Sequence, residues 1–293
     1  MLLVRQLRPH QWSKNLLVFI PMILAHDVGL GSNHAPGVWQ ALLAFLSFSF
    51  VASAVYTLND LADRHSDAAH PRKRFRPLAS GAISPRLAVM MIVVLLAAAA
   101  PMAAQLSASF TVLVAIYLAS TTLYSFWLKR LVLIDVIVLA GLYTLRIIAG
   151  GAATETPVST WLLMFSLCVF TSLAFLKRYT ELRDTVEREG RTISGRGYRV
   201  GDAHFVLIAG TAIGYLAVFV FAFYLSGTDV TRLYAHPTRL WAMVPVLLYW
   251  ISRMWLKAHR GEMHDDPIIF ALRDRATYIL GVIMVVIFVV AGQ

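Results

Sequence analysis

The chain has 293 residues, of which 58% are hydrophobic and only 14% are charged, and its mean hydropathy is +0.67. Soluble domains carry about 25% charged residues, so this composition excludes a soluble globular protein and predicts an integral membrane protein. The formal net charge of +10 raises nucleic-acid binding as an alternative, which depends on where the basic residues lie.

Apolar stretches near the roughly 20 residues that a helix needs to cross a bilayer recur along the chain. The connections between them are too short for a separate soluble domain, so we expect one all-α domain over 1–293, a nine-helix transmembrane bundle. An alternative interpretation of residues 1–27 as a signal peptide would discard the polar stretch RPHQWSKN. The predicted spans lie at about 15–31, 38–58, 86–105, 108–127, 131–150, 158–176, 203–225, 239–256 and 276–291.

The basic residues lie almost entirely on one side of these spans. Twenty-three Lys or Arg fall on the side of the N terminus, against Arg232 and Arg239 on the other side, and Arg146 lies within a span. The positive-inside rule therefore predicts a cell (inner) membrane protein with a cytoplasmic N terminus and an external C terminus. The loops 59–85, 177–202 and 257–275 are then cytoplasmic. Because topology accounts for the basic excess, we expect no nucleic-acid partner.

The second span runs directly into the acidic sequence NDLADRHSD at 59–67. If the helix continues, Asn59, Asp63 and Asp67 lie at i, i+4 and i+8 on one face, over roughly 12 Å, with Asp60 one step around. Carboxylate and amide oxygens suit Mg²⁺, which binds one or two carboxylates together with waters and substrate phosphates. The pattern predicts a Mg²⁺ site at Asn59, Asp63 and Asp67.

A basic run, HPRKRFRP at 70–77, follows these acids within a few residues. Acids and bases together suit a metal-bound diphosphate that Lys and Arg also hold. The alternative is a solvated cytoplasmic loop with Asp residues at helix ends. The predicted ligand-binding side chains of this run are His70, Lys73, Arg74 and Arg76.

The sequence NDLADRHSD followed by KRFRPLASG resembles the signature of the UbiA superfamily of intramembrane prenyltransferases. In that family the Asn and the spaced Asp residues hold Mg²⁺ and a pyrophosphate. Two further stretches, RPHQWSKN at 8–15 and HPRKRF at 70–75, are similar to the decaprenyl-phosphate phosphoribosyltransferase branch. The resemblance implies a UbiA-like helical fold and places Arg8, Gln11, Lys14 and Asn15 among the candidate ligands, although Arg8 and Lys14 also serve as topology charges.

A second charged cluster, KRYTELRD at 177–184, follows the sixth span. Spans two and six thus each end in charged residues, as in a bundle of two similar halves. The family generally has two spaced Asp residues here, and this chain departs from that pattern. We expect Lys177, Arg178 and Glu181 to bind substrate; an ordinary salt-bridged helix end is the alternative.

Arg146 is the one Lys or Arg deep within a predicted span, where a charge costs at least a few kcal/mol without a partner. It is interpreted as a phosphate ligand or, alternatively, as the partner of an acid such as Asp135, and Tyr143 lies one turn before it. Tyr124 and Lys129, at the cytoplasmic end of the fourth span, are further candidates or interfacial anchors. HDDP at 264–267 predicts a helix cap with Pro267 at the first helical position.

The resemblance implies phosphoribosyl transfer from 5-phosphoribosyl 1-pyrophosphate, a phosphorylated sugar donor, to a polyprenyl phosphate lipid in the bilayer. A second hypothesis is an aromatic prenyltransferase that uses a polyprenyl diphosphate, for example on 4-hydroxybenzoate, with the same metal cluster. A third, a lipid or ion transporter, predicts polar residues at both membrane faces, whereas here they crowd one face. The oligomeric state is left open.

Overall fold

The computed structural model describes residues 2–24, 35–68, 73–187, 196–227, 230, 234–263 and 266–292. These residues form twelve α-helices joined by 3₁₀ helices and loops, which confirms the predicted all-α class. The chain divides into two compact units. Unit 1 comprises Met1–Leu128 and Leu142–Val158, and unit 2 comprises Lys129–Gly141 and Ser159–Gln293.

Unit 1 is built around a long helix, α3, which packs along α5 and also contacts α6. A 3₁₀ helix, Pro9–Phe19, lies against α3, and a second one covers Lys73–Phe75. The helices are α1 Leu2–Leu7, α2 Ile20–Leu24, α3 Ala35–Ala62, α4 Arg64–Ala68, α5 Pro85–Ala104, α6 Ala108–Phe126 and the second part of α7 Ile134–Thr154.

Aromatic packing and a close backbone approach hold unit 1 together. Phe48 of α3 packs edge-on against Phe110 of α6, with ring centroids 5.8 Å apart, and its ring lies 4.9 Å from that of Tyr117. Gly150 of α7 lies so close to the 3₁₀ helix that a Cβ there would come within 2.1 Å of the Val18 carbonyl oxygen. Only glycine therefore permits this contact between α7 and the N-terminal segment.

Unit 2 contains the first part of α7 and a pair of long helices, α8 and α9, that pack along each other. The indole N–H of Trp255 donates to the Ser172 hydroxyl, which donates to the Gly210 carbonyl, so one buried chain of hydrogen bonds joins α10, α8 and α9. The helices are α8 Thr160–Glu187, α9 Ala203–Leu225, α10 Met243–His259, α11 Pro267–Ala271 and α12 Arg275–Gly292, with 3₁₀ helices at Val200–Asp202 and Pro237–Ala242.

Seven helices in the described part of the chain are long and apolar enough to cross a membrane. They match seven of the nine predicted spans, and the prediction of nine is therefore approximate. The first predicted span, 15–31, begins in the 3₁₀ helix and α2 and then runs outside the described residues. The eighth, 239–256, is divided between Pro237–Ala242 and the 17-residue α10.

Two helices extend past the ends of their predicted apolar spans. Helix α3 continues to Ala62 rather than residue 58, and α8 continues to Glu187 rather than residue 176. In both cases the charged cluster continues the helical winding, so its side chains are placed by helix geometry.

Candidate active site

The group that we call the acidic end of α3 comprises Asn59 and Asp60 in the last turn of α3, Asp63 in the turn that follows, and Asp67 in α4. The Asp63 N–H donates to the Asn59 carbonyl at 2.9 Å, and the Asp67 N–H donates to the Asp63 carbonyl at 2.8 Å. These bonds carry the helical register from α3 into α4 across the turn at Asp63. The backbone thus keeps the four-residue spacing predicted for Asn59, Asp63 and Asp67.

The oxygen donors of Asn59 and Asp63 fit a hard divalent cation. The Asn59 amide Nδ2 lies 3.3 Å from Asp63 Oδ2, and both side chains are half-buried. Among the described residues no three His, Cys, Asp or Glu side chains group to hold a metal ion. An amide with one or two carboxylates nevertheless suits Mg²⁺, whose shell is completed by waters and substrate phosphates.

Asp60 faces basic side chains. Its Oδ2 accepts a 3.0 Å hydrogen bond from the Gln6 amide, and Arg8 Nη2 lies 2.7 Å from both carboxylate oxygens. Arg76 Nη1 lies 3.1 Å from Oδ1. Asp60 itself is 2% exposed, so this charge is buried and neutralised by two arginines.

Asp67 is also buried and contacts the same nitrogen of Arg76 as Asp60 does. Arg76 Nη1 lies 2.6 Å from Asp67 Oδ2, and Lys73 Nζ lies 3.7 Å from Oδ1. Arg74 is exposed and stacks on the Phe75 ring, with 4.8 Å between its guanidinium carbon and the ring centroid. Lys73 and Arg76 therefore lie at the acidic end of α3. The predicted ligand His70 lies outside the described residues.

The N-terminal segment is fastened to α3 by two serines. The Ser53 hydroxyl donates to the Leu7 carbonyl at 2.8 Å and accepts from the Trp12 indole N–H at 3.0 Å. One turn earlier, Ser49 accepts from the Asn15 amide at 3.0 Å. The predicted ligands Arg8, Gln11, Lys14 and Asn15 thus belong to one docked segment, in which Lys14 and Asn15 are buried and Gln11 is half-buried.

Arg146 is 5% exposed, and its hydrogen-bond acceptors are all neutral. Its Nε donates to the Asn15 side-chain oxygen at 2.8 Å, its Nη2 donates to the Tyr117 hydroxyl at 2.8 Å, and its Nη1 donates to the backbone carbonyl one turn earlier. Tyr143 lies near both buried cations, 5.4 Å from the Arg146 guanidinium and 5.9 Å from Lys14 Nζ. The alternative pairing of Arg146 with Asp135 is wrong, because Asp135 pairs with other arginines.

A buried carboxylate, Asp135, organises the charged residues of unit 2. Its Oδ2 lies 2.8 Å from Arg178 Nε and 3.6 Å from Arg196 Nη1, and Glu181 pairs with the same two arginines. The Tyr198 hydroxyl donates to Asp135 Oδ1 at 2.8 Å and accepts from the Leu133 N–H at 2.9 Å. We call Asp135, Arg178, Glu181, Arg196 and Tyr198 the Asp135 cluster.

Burial raises the pKa of Tyr198, and its hydrogen bond to the Asp135 carboxylate raises it further. The phenol therefore stays protonated at neutral pH and remains a hydrogen-bond donor.

A Cβ at Gly197 would come within 2.6 Å of the Arg130 carbonyl oxygen, so the chain that carries Arg196 and Tyr198 lies directly on the residues before α7.

Lys177 has a different partner from its neighbour Arg178. Its Nζ lies 2.7 Å from Asp266 Oδ2, and Asp266 also caps α11 by accepting from the Ile268 N–H. Pro267 occupies the first helical position, which confirms the predicted cap. The remaining candidates, Tyr124 on α6 and Lys129 in the 3₁₀ turn Leu128–Arg130, are half-buried.

We predicted no role for Gln6, Tyr117, Arg196 or Tyr198 from the sequence. We predicted Asp135 only as a possible partner of Arg146. Ser49, Ser53 and Thr57, at i, i+4 and i+8 on α3, are a polar stripe that signals a docked polar segment. Nothing in the local sequence pattern marks Tyr117 or Tyr198, because their partners lie 29 and 63 residues away along the chain.

The profile of the UbiA prenyltransferase family matches residues 18–272. The chain belongs to the UbiA prenyltransferase family. This UbiA member is therefore a multi-pass membrane protein of an enzyme family, in agreement with the seven apolar helices found among the described residues. The expectation drawn from NDLADRHSD and KRFRPLASG is confirmed at the level of the family.

Three similar proteins cover nearly the whole chain of this UbiA member. The uncharacterized protein y4nM of Sinorhizobium fredii is 39% identical over 98% of the chain, which spans 55% of the length of y4nM. Nodulation protein NoeC of Azorhizobium caulinodans is 36% identical, covering 96% of the chain and 91% of NoeC. Decaprenyl-phosphate phosphoribosyltransferase of Mycobacterium tuberculosis is 32% identical, covering 94% of the chain and 89% of that enzyme.

The fold also matches a solved structure. A UbiA homolog from Archaeoglobus fulgidus, bound to GPP and Mg²⁺, superposes with a TM-score of 0.68 at 17% identity, covering 98% of this chain and 96% of the homolog. At that identity the likeness shows the fold alone, and it confirms the predicted UbiA-like architecture.

Proposed function

We propose that this UbiA member transfers a 5-phosphoribosyl group from 5-phosphoribosyl 1-pyrophosphate to a polyprenyl phosphate and releases pyrophosphate. The observation that carries the proposal is the meeting of oxygen donors and arginines at the acidic end of α3. Arg76 contacts both Asp60 and Asp67 there, and Asn59 contacts Asp63. Such a mixture suits a metal-bound diphosphate. The similarity to a decaprenyl-phosphate phosphoribosyltransferase over most of the chain supports the choice of substrates.

Asn59 and Asp63 are proposed to hold Mg²⁺, with Asp67 as a third ligand. Solved UbiA homologs carry Mg²⁺, which supports a dependence on this metal. When bound, the ion supplies positive charge to the departing pyrophosphate. In the reaction a bond forms between an oxygen of the lipid phosphate and the anomeric carbon of the ribose, while the bond from that carbon to the pyrophosphate breaks. The lipid phosphate is already an anion at neutral pH, so the attack needs no strong general base.

Burial divides the predicted ligands into two groups. Arg8, Lys73 and Arg76 are partly exposed and are proposed to neutralise the phosphates of the donor. Lys177 and Glu181 are also partly exposed and are proposed to bind a further polar group of the substrates. Asn15, Arg146 and Arg178 are buried and bonded to protein groups, so we assign them to holding the structure in place.

A second candidate function is aromatic prenyl transfer from a polyprenyl diphosphate. One observation favours it: the A. fulgidus homolog that shares the fold was solved with GPP and Mg²⁺. The acidic end of α3 serves either donor, because both donors carry a diphosphate.

The location of the reaction follows from the distribution of basic residues. We propose a cell-membrane protein with the N terminus and the acidic end of α3 at the cytoplasmic face, because 23 of the 26 Lys and Arg lie on that side of the predicted spans. A water-soluble, highly charged donor is then bound from the cytoplasm, while the lipid acceptor stays in the bilayer.

Incubation of the detergent-purified protein with Mg²⁺ and each pair of donor and acceptor tests the proposal, with products read by mass spectrometry. A ribose 5-phosphate adduct on the polyprenyl phosphate is expected. A prenylated aromatic acid instead selects the second candidate. Asp63→Asn should lower turnover about 100-fold or more, the scale for losing one preorganised electrostatic contact. The matched control is Asp202→Asn, the same change in a half-buried residue of the 3₁₀ helix Val200–Asp202 of unit 2. An active Asp63→Asn protein contradicts the metal role.

A further inference from the structure

At the acidic end of α3, both carboxylate oxygens of Asp60 accept hydrogen bonds from protein donors. Gln6 and Arg8 reach Oδ2, and Arg8 and Arg76 reach Oδ1, all within 3.1 Å. The side chain is 2% exposed. One residue along a helix is a rotation of about 100°, which turns Asp60 away from the face that Asn59 and Asp63 share.

We propose that Asp60 is a positioning residue that holds Arg8 and Arg76 as a two-arginine anchor for a phosphate group of the substrate. Asp60 itself touches neither the metal nor the substrate. The inference rests on the diphosphate-binding site of the proposed function, and it holds for either candidate donor.

The two arginines keep donors available for a ligand. Arg8 contacts Asp60 through Nη2 alone, and Arg76 contacts both Asp60 and Asp67 through Nη1 alone. In each guanidinium, Nε and the other terminal nitrogen make no contact with these carboxylates. The arginine side chains are 22% and 28% exposed, against 2% for Asp60. A guanidinium with a free edge matches a phosphate bidentately.

Arg8 is also held from a second direction. Its guanidinium lies over the Tyr56 ring, 5.4 Å from the centroid, and Tyr56 is one helical turn before Asp60 on α3. The Arg8 backbone is left-handed, with φ 53° and ψ 57°, where the chain turns from α1 into the 3₁₀ helix. For a residue with a Cβ this conformation costs free energy. The contacts to Asp60 and Tyr56 offset that cost and fix the direction of the side chain.

Without Asp60 the two guanidinium groups lose their shared acceptor and repel each other. Among the described residues, Arg8 then keeps only its contact with the Tyr56 ring. Arg76 likewise keeps only its contact with Asp67, so each guanidinium samples more rotamers. A phosphate must then order both side chains as it binds. Ordering one such side chain on binding costs about 0.5–1.5 kcal/mol by itself. Removal of the carboxylate should therefore weaken phosphate binding, although it makes the site more positive.

The test uses the full chain in detergent and Mg²⁺-pyrophosphate as the probe, measured by calorimetric titration. Asp60→Asn should weaken pyrophosphate binding about tenfold or more, the scale for losing charge-assisted hydrogen bonds. Arg8→Lys and Arg76→Lys should each weaken it in the same way, because lysine cannot make the bidentate contact. The Mg²⁺ concentration for half-maximal activity should stay within about twofold of the parent value in Asp60→Asn but rise in Asp63→Asn.

Gln6→Met is the matched control, because Gln6 also bonds Asp60 from α1 but carries no charge. It should disturb the docking of α1 and leave pyrophosphate affinity within about threefold of the parent value. Equal weakening in Gln6→Met and Asp60→Asn reduces Asp60 to a docking contact and overturns the proposal. Unchanged or tighter binding by Asp60→Asn also overturns it, as does a rise in its Mg²⁺ requirement equal to that of Asp63→Asn.

Two precautions keep the result interpretable. If Asp60→Asn does not fold, the two Arg→Lys variants decide, and parent-like affinity in both overturns the anchor. Pyrophosphate binding requires neither lipid nor ribose. The titration therefore tests the two-arginine anchor independently of the proposed phosphoribosyl reaction. A protein that prenylates an aromatic acid and still shows the tenfold loss in Asp60→Asn retains the anchor and loses the proposed reaction.

Discussion

Asp60 in unit 1 and Asp135 in unit 2 are both buried aspartates that pair with two arginines, yet their surroundings differ. The arginines of Asp60 are 22% and 28% exposed, whereas Arg178, the nearer partner of Asp135, is fully buried and Arg196 is 18% exposed. The Asp135 cluster is closed further by Glu181 and Tyr198. We therefore infer different roles for similar ion pairs: the pairs at Asp60 are proposed to present arginines to a ligand, whereas the Asp135 cluster joins separate chain segments.

The largest effect expected from this comparison is on the stability of an Asp135→Asn protein. The change leaves Arg178 charged and fully buried with only the partly exposed Glu181 as a carboxylate partner among those described above, and breaking a buried pair costs about 3–5 kcal/mol. Denaturant unfolding of the detergent-solubilised protein measures the loss. A double variant, Asp135→Leu with Arg178→Met, should recover part of it, because it removes both charges. If the Asp135→Asn protein has the same free energy of unfolding as the parent, the Asp135 cluster does not stabilise the fold.

A smaller loss of stability is expected for Asp60→Asn, about 1–2 kcal/mol. Arg8 and Arg76 are partly exposed, so water hydrates them when the carboxylate is gone. The same unfolding experiment provides the comparison, with Asp202→Asn as the control. If Asp60→Asn destabilises the protein as much as Asp135→Asn does, the distinction between the two aspartates fails.

The smallest effect is expected for Tyr198→Phe, which removes one hydroxyl from the Asp135 cluster. The hydroxyl donates to Asp135 and accepts from the Leu133 N–H, and losing such bonds costs about 1 kcal/mol. The aromatic ring still fills its buried site, so packing is preserved. Turnover should stay within about twofold of the parent in the mass-spectrometric assay, and a large loss of turnover would place Tyr198 in the catalytic site instead.

Local spacing in the sequence predicted the parts of the site that one helix determines. The register of Asn59, Asp63 and Asp67 followed from a helical repeat, and hydrogen bonds between their backbones confirm it. The family also followed from a contiguous signature. Helix geometry is a short-range property, so a residue's position on a helix face is readable from its neighbours in sequence.

Contacts between residues that are far apart in the chain could not be predicted from the sequence. Arg8 lies 52 residues from Asp60, and Arg146 lies 131 residues from Asn15. The cost of burying Arg146 required some partner, but charge alone suggested an acid, and the partners are an amide, a phenol and a carbonyl. Three neutral acceptors can satisfy the N–H donors of a guanidinium by hydrogen bonding, without an acid. No periodic pattern in the sequence indicates which residues provide these acceptors.

The 3₁₀ helix Pro9–Phe19 makes the start of the chain sensitive to length. At three residues per turn, one inserted or deleted residue rotates every later side chain by about 120°. An insertion after Trp12 would therefore swing Asn15 away from Ser49 and Arg146. Adding three residues would restore the angle but shift the segment by about 6 Å along its axis. In this segment a point substitution changes the contacts of one side chain, whereas an insertion or deletion displaces every side chain that follows it in the helix.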